Sequence, residues 1–349
     1  MILICFGTRP ELIKLIPLIH TFQKHNVCFQ TLFTGQHETL IRDFYEYIDT
    51  PTYTFEQIMK HGQSLNCLAS NLLLKMDQLL KTHSFSKIII QGDTTSAFTI
   101  AMSAYHNHIQ VVHIEAGLRT DHKHNPFPEE MNRRLISQIA DYHFCPTQIS
   151  YDNLCNENIT NNVHMVGNTV VDMYTYMKQK NTPHQELHST ISNLIETQTN
   201  YIIVTLHRRE NRGDSVQDMW NQLNHLSQTH HFVYIYHPSL PNSKIMLNEH
   251  ITILDPLNYK NMVQLIIHCC GIISDSGGLQ EEAVCANKKI LVCRETTERP
   301  ETITCGLGKL INTDITNNIA FLNTNIDDTT IENPYGKNVC EQIHTIITK

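Results

Sequence analysis

The sequence predicts an α/β fold of parallel sheets divided between two domains, and three observations carry that prediction. Short apolar runs recur about every 20 to 40 residues, each followed by a polar or glycine-containing turn and a helical pattern. Many are rich in Val and Ile and continuous instead of alternating, as strands covered on both faces are. The chain has 349 residues, which suits two α/β domains better than one.

The apolar runs are, in order, Ile2–Phe6, Lys87–Ile90, Val111–Ile114, Tyr142–Cys145, Val163–Val166, Tyr201–Leu206, Phe232–Tyr236, Ile251–Leu254, Gly271–Ser274 and Ile290–Cys293. Strands alternating with helices imply parallel sheets joined by right-handed crossovers. The longest polar interval covers about 176–200, near mid-chain, and a boundary just before it divides 1–166 from 167–349. There is no internal repeat and no low-complexity tract.

Bulk properties exclude several roles. A net charge of −8 removes the usual electrostatic support for nucleic-acid binding. No apolar stretch approaches the roughly 20 residues that span a bilayer, and the N-terminal apolar run is too short for a signal peptide. Eleven cysteines without a CxxC spacing read as reduced, mostly buried thiols of a cytosolic protein. The 22 histidines include no HxxxH or HxH pair set among further ligand residues, so no metal site is expected.

The chemistry gathers where strands end. After Ile2–Phe6 the chain reads Gly7-Thr8-Arg9-Pro10-Glu11 with Lys14 one turn on. Gly7 permits a tight turn and close ligand approach, and Pro10 suits the first turn of a helix. Arg9 and Lys14 thus lie beside the positive end of a helix, a phosphate-binding arrangement; a solvated basic helix start is the alternative. Asp93 in GDTTS follows KIIIQ, Glu115 follows VVHI, His207 follows YIIVTL and His237 follows FVYIY. Ligands of open α/β sheets bind outside the carboxyl ends of strands. Asp93 alone reads equally well as a helix cap.

Asp275-Ser276-Gly277-Gly278 is a second candidate anion site, with two glycines exposing N–H groups at a helix start. Glu282 shares a helix face with Leu279 and Ala286, so it should point towards the core or a cleft, whereas Glu281 fits a dipole-compensating role. In PFPEEMNRR, Glu129 and Glu130 open a helix whose expected buried stripe is Met131, Leu135 and Ile139. Both glutamates can pair with Arg133 and Arg134. The clusters His207–Glu210 and Thr297–Glu301 read as surface salt bridges or as contacts to a polyanionic ligand.

Taken together, GTRPE with Lys14, GDTTS, HIEAGLRT, PFPEEMNR, VGNT, LHRREN, SDSGGLQEEA and TTERPE, in this order, resemble the non-hydrolysing UDP-N-acetylglucosamine 2-epimerases from residue 1 to about 345. The resemblance implies two Rossmann-like domains facing across a deep nucleotide-sugar cleft, the architecture of the GT-B glycosyltransferases, with the last helix crossing back to the first domain. It implies that Arg9 and Lys14 hold the diphosphate, with Arg133 a further substrate-binding residue. Ser276, Gly277, Gly278 and Glu282 would grip phosphate and ribose, with His207 reaching in. Asp93, Glu115 and Glu129 would be acid/base carboxylates around the sugar. No cofactor and no metal are implied.

The implied reaction converts UDP-GlcNAc reversibly to UDP-ManNAc through an enzyme-bound glycal, in a cytoplasmic homodimer. Other UDP-2-acetamido sugars, including 6-deoxy L-sugars, are the alternative substrates; a hydrolysing epimerase and a glycosyltransferase are the rival activities. Gln36, His37, Arg208 and His237 resemble a second, activating UDP-sugar site, with Thr39 departing from the family pattern. Lys337-Asn338 departs as well, standing where Asp-Gly often follows NPYG.

Overall fold

The structure is a computed structural model that describes residues 1–36, 41–59, 62–120, 122–180, 183–207, 214–236, 247–324 and 332–349. Every strand pairing among them is parallel. The chain divides into two units, Met1–Met173 with Tyr335–Lys349, and Tyr174–Pro334. The outward crossing falls inside the helix Val170–Gln179.

The first unit holds β1 (Ile2–Phe6), β2 (Phe29–Phe33), β3 (Tyr53–Thr54), β4 (Lys87–Gln91), β5 (Gln110–Ile114), β6 (Tyr142–Cys145) and β7 (Val163–Met165), in the sheet order β3-β2-β1-β4-β5-β6-β7. All five residues of β1 are buried, as expected of a central strand covered on both faces. Leu3 and Ile88 from the sheet pack with Leu68, Leu72, Met76 and Ile100 from the helices Leu65–Thr82 and Thr95–His106. The second unit holds β8 (Ile202–Thr205), β9 (Phe232–Ile235), β10 (Thr252–Leu254), β11 (Gly271–Ser274), β12 (Ile290–Val292) and β13 (Gly308–Leu310), in the order β10-β9-β8-β11-β12-β13. Alternate residues serve opposite faces: Ile203 and Val233 join one core, Val204 and Tyr234 the other. Each sheet reverses strand order once, beside its first strand, which is the doubly wound pattern.

The strands Phe29–Phe33, Tyr53–Thr54 and Gly308–Leu310 were not among the expected runs. The helix Glu129–Ile139 also corrects an expectation. Its buried residues are Glu130, Asn132, Arg133, Ile136 and Ser137, and Leu135 is exposed. A polar face can be buried there because its charges meet partners, so the apolar stripe Met131-Leu135-Ile139 misjudges the orientation.

The helix Val339–Ile347 packs on the helix Arg9–Lys24, the return that the resemblance implies. Asp172 accepts hydrogen bonds from the N–H groups of Val339 at 3.3 Å and Cys340 at 2.7 Å, which caps the returning helix. Asn338 precedes it at φ 51°, in the left-handed region that Asn tolerates, so its departure from the family's residues fits the backbone. None of the eleven cysteines forms a disulfide; Cys28, Cys67 and Cys270 are exposed, so burial is less general than expected. No helix among the described residues is long and apolar enough to cross a membrane.

Candidate active site

In each unit the strand order reverses between two neighbours, β1 and β4 in the first and β8 and β11 in the second. Asp93, Glu115, His207 and Ser276 follow the carboxyl ends of β4, β5, β8 and β11, where such sheets bind ligands.

In the first unit the helix start is already filled. Glu11 is buried, and its Oε2 accepts the N–H groups of Gly7 and Thr8, each at 2.7 Å; Oε1 accepts the Thr94 hydroxyl at 2.6 Å. Burial pushes the Glu11 carboxyl up, and these hydrogen bonds oppose that shift. Glu11 therefore ties GTRPE to GDTTS. Two backbone N–H groups of this turn are thus already engaged by a side chain, beside the cations of Arg9 and Lys14. Arg9 lies over the Phe44 ring, 5.7 Å from its centroid. A Cβ on Gly7 would lie 2.3 Å from Thr34 Oγ1 and 2.7 Å from Gln36 Oε1. Gln36 accepts the Ser96 hydroxyl at 2.7 Å, which places it against the same turns. His37, Arg208 and His237 lie outside the described residues.

Thr94, not Asp93, caps the helix after β4, accepting the Ala97 N–H at 3.0 Å. Asp93 is left to meet Arg133: its Oδ2 accepts Nε at 2.9 Å and Nη2 at 2.5 Å. Asn132 donates to the Asp93 carbonyl at 2.8 Å. Glu130 is fully buried and holds Arg133 at 3.3 Å and Arg134 at 2.8 Å, a structural anchor beneath the site. Its neighbour Glu129 is half-buried in the first turn.

Glu115 follows β5 at φ 68°, a left-handed conformation costly for a residue with a side chain and typical of functional positions. Its Oε2 accepts Lys14 Nζ at 2.7 Å and also Gln91 Nε2. Both members of the ion pair are buried. Next to Glu115, the Nε2–H of buried His113 donates to the Gly92 carbonyl at 2.8 Å and fixes the start of GDTTS. Burial pulls that imidazole down to about 3, so it stays neutral.

The second unit presents an open helix start. Asp275 is fully buried, accepts the His207 N–H at 3.0 Å and lies 3.2 Å from His207 Nδ1. It orients the predicted histidine. Ser276 precedes the helix Gly277–Cys285 without a side-chain cap hydrogen bond. The two glycines differ. A Cβ on Gly277 would lie 2.6 Å from Arg299 Nη1, whereas one on Gly278 would meet nothing within 4 Å. Gly277 makes room for Arg299, and Gly278 leaves the helix tip open. Arg299 binds Glu281 at 2.7 Å and Glu298 at 2.6 Å, and Arg294 binds Glu298 at 2.6 Å. Glu281 is thus a buried ion-pair partner and not a surface dipole compensator, and Glu298 belongs to an internal network. Glu282 is partly exposed.

A profile of the family described as UDP-N-acetylglucosamine 2-epimerase matches residues 20–348. The chain belongs to the UDP-N-acetylglucosamine 2-epimerase family. It is 37% identical to a UDP-N-acetylglucosamine 2-epimerase of Salmonella borreze over 333 residues, 91% of this chain and 88% of that one. The crystal structure of the Neisseria meningitidis UDP-GlcNAc 2-epimerase bound to UDP-GlcNAc superimposes with a TM-score of 0.88 at 32% identity, covering 100% of both chains. The Methanocaldococcus jannaschii enzyme in complex with UDP-GlcNAc and UDP gives 0.88 at 28% identity, covering 99% of each.

Within the epimerase family's motifs, sequence reasoning named residues but missed their supports. Glu11, Gln91, Thr94, Asn132, His113 and Asp275 had no assigned role. Glu11 carried one readable signal, its place three residues beyond Thr8 in a capping box.

Proposed function

We propose that this chain is a non-hydrolysing epimerase that inverts carbon 2 of UDP-GlcNAc to give UDP-ManNAc. The observation that carries the reading is a pair of cation-bound carboxylates, Asp93 with Arg133 and Glu115 with Lys14, at the ends of the adjacent strands β4 and β5. Family membership and the UDP-GlcNAc bound by the Neisseria enzyme support the substrate.

The proton on carbon 2 of an N-acetylhexosamine has no adjacent carbonyl to accept its electrons. Breaking the bond from carbon 1 to the UDP oxygen as that proton leaves avoids a free carbanion and gives a glycal and UDP. Re-addition of UDP with protonation from the opposite face inverts the centre. Opposite faces require proton-transfer groups on both sides, and Asp93, Glu115 and Glu129 fill these roles. Arg9 and Lys14 stabilise the departing diphosphate. Lys14 then serves two anions, the leaving group and Glu115. The open tip at Ser276–Gly278 holds phosphate, Glu282 the ribose diol, and Asp275-oriented His207 acts beside them. The reading carries with it a cytoplasmic homodimer.

The test is NMR of UDP-GlcNAc with the protein in D2O. UDP-ManNAc forming with deuterium at carbon 2 is the expected result. Free ManNAc as the main product assigns a hydrolysing enzyme, and absence of exchange at carbon 2 defeats the reading.

A further inference from the structure

Away from the strand ends, three metal-capable side chains meet where the helix Val339–Ile347 lies on the helix Arg9–Lys24. His25 follows the last residue of the first helix; Glu341 and His344 stand three apart on the other. Their ligand atoms all lie within 4.8 Å of one another, and among the described residues no other trio of His, Cys, Asp or Glu gathers as closely. His25 Nε2 is 2.7 Å from Glu341 Oε2, and the two imidazoles stack with centroids 4.2 Å apart and planes at 15°.

We propose that His25, Glu341 and His344 form a site for one borderline divalent cation of the zinc, cobalt and nickel class, which fastens the returning helix to the first. Three features carry this. Two imidazoles and one carboxylate are a donor set that such ions prefer, with water left to complete four-coordination. Glu341 and His344 are related as Glu-x-x-His on one helix, a spacing that points both side chains the same way. The third ligand caps the end of a different helix, so binding crosslinks elements far apart in the chain. The 2.7 Å contact between His25 and Glu341 is shorter than the edge of about 3.3 Å that a tetrahedral site with bonds near 2.0 Å requires. His25 is exposed, and binding requires it to swing outward and turn out of its stack on His344, so that the ion lies in the plane of both rings. The opposing group is Lys24, whose Nζ lies 2.6 Å from Glu341 Oε1; it is largely exposed and binds the oxygen that His25 does not.

The experiment is calorimetric titration of zinc chloride into the chelator-stripped full chain, with melting temperature followed in parallel. The expected result is one tight site per chain and a melting temperature that rises with zinc, since a ligand of the native state alone stabilises it. Removing a ligand should weaken binding at least as much as removing an outer-shell partner, about 10- to 100-fold; His344→Ala and Glu341→Gln test this. His25→Ala, at an exposed position, repeats the test should either change impair folding. Lys24→Met removes the competing cation and should tighten binding. Cobalt substitution should give the visible absorption of a four-coordinate ion in the parent and lose it in His344→Ala. Undiminished zinc affinity in the ligand variants assigns the ion to other histidines and overturns the proposal, as does binding no tighter than millimolar in the parent.

Discussion

Lys14 and Glu115 stand 101 positions apart in the chain and meet in a buried ion pair, Nζ to Oε2 at 2.7 Å. The contact joins the second turn of the first helix to the residue that follows β5, whose backbone is left-handed. Removing one partner of such a pair strands a charge out of water, at a cost of about 3–5 kcal/mol. Lys14→Met is therefore expected to lose that much stability in urea denaturation. Lys14→Met combined with Glu115→Gln should recover part of the loss, because no uncompensated charge remains. Equal losses in the single and double variants would contradict the pairing.

Asp93→Asn keeps the shape of a side chain that Arg133 grips and removes its capacity to take a proton. On the proposed chemistry, turnover falls about 10²- to 10⁴-fold while UDP affinity stays near that of the parent. Steady-state epimerisation and a UDP titration separate the two quantities. A variant that turns over normally would remove Asp93 from the acid/base set.

Gly277 and Gly278 invite opposite outcomes from the same change. Gly277→Ala drives a methyl group against an arginine fixed by Glu281 and Glu298, and overpacking of this kind costs about 1–3 kcal/mol. Gly278→Ala meets no neighbour and gains up to about 1 kcal/mol from the helix preference of alanine. If phosphate rests on the helix tip, Gly278→Ala still weakens UDP binding. Thermal melts and UDP titrations of both variants check the pair.

Acid should destabilise the first unit through its buried histidines. Burial pulls His113 down to about 3 and His143 to about 4, from an ordinary 6.5. The unfolded chain takes up these protons as pH falls below 6.5 while the native chain refuses them. Their contribution is thus complete above pH 6.5 and declines towards pH 4, by about 1.4 kcal/mol per pH unit for each proton refused. Glu11 acts in the opposite sense: its raised native value adds stability at low pH that is lost as pH rises through that value. His113→Gln should flatten the slope of stability between pH 6.5 and 4 in urea denaturation, and an unaltered slope would count against a neutral buried imidazole.

Much of the fold was legible because its strands are buried on both faces. Ile2–Phe6 and Gly271–Ser274 announce themselves as continuous apolar runs. Phe29–Phe33 hid behind Gln30 and Thr31, Tyr53–Thr54 is two residues long, and Gly308–Leu310 has an exposed lysine at its centre. The candidate residues were legible as polar groups at strand ends, but their partners were not. Nothing local in the sequence tells Lys14 to find Glu115 or Asp93 to find Arg133. The helix Glu129–Ile139 misled for a related reason: a face of mutually compensated charges leaves no apolar period to detect. The His25–Glu341–His344 group is invisible to spacing rules, since His25 and Glu341 lie 316 positions apart.

Because Tyr335–Lys349 belongs with Met1–Met173, the second unit is an insertion within the first. On the ribosome, Tyr174–Pro334 is available in full before the first unit has received its closing helix. The half that emerges earliest is therefore finished last, and the surface of Arg9–Lys24 that Val339–Ile347 covers must wait uncovered while the intervening residues are made.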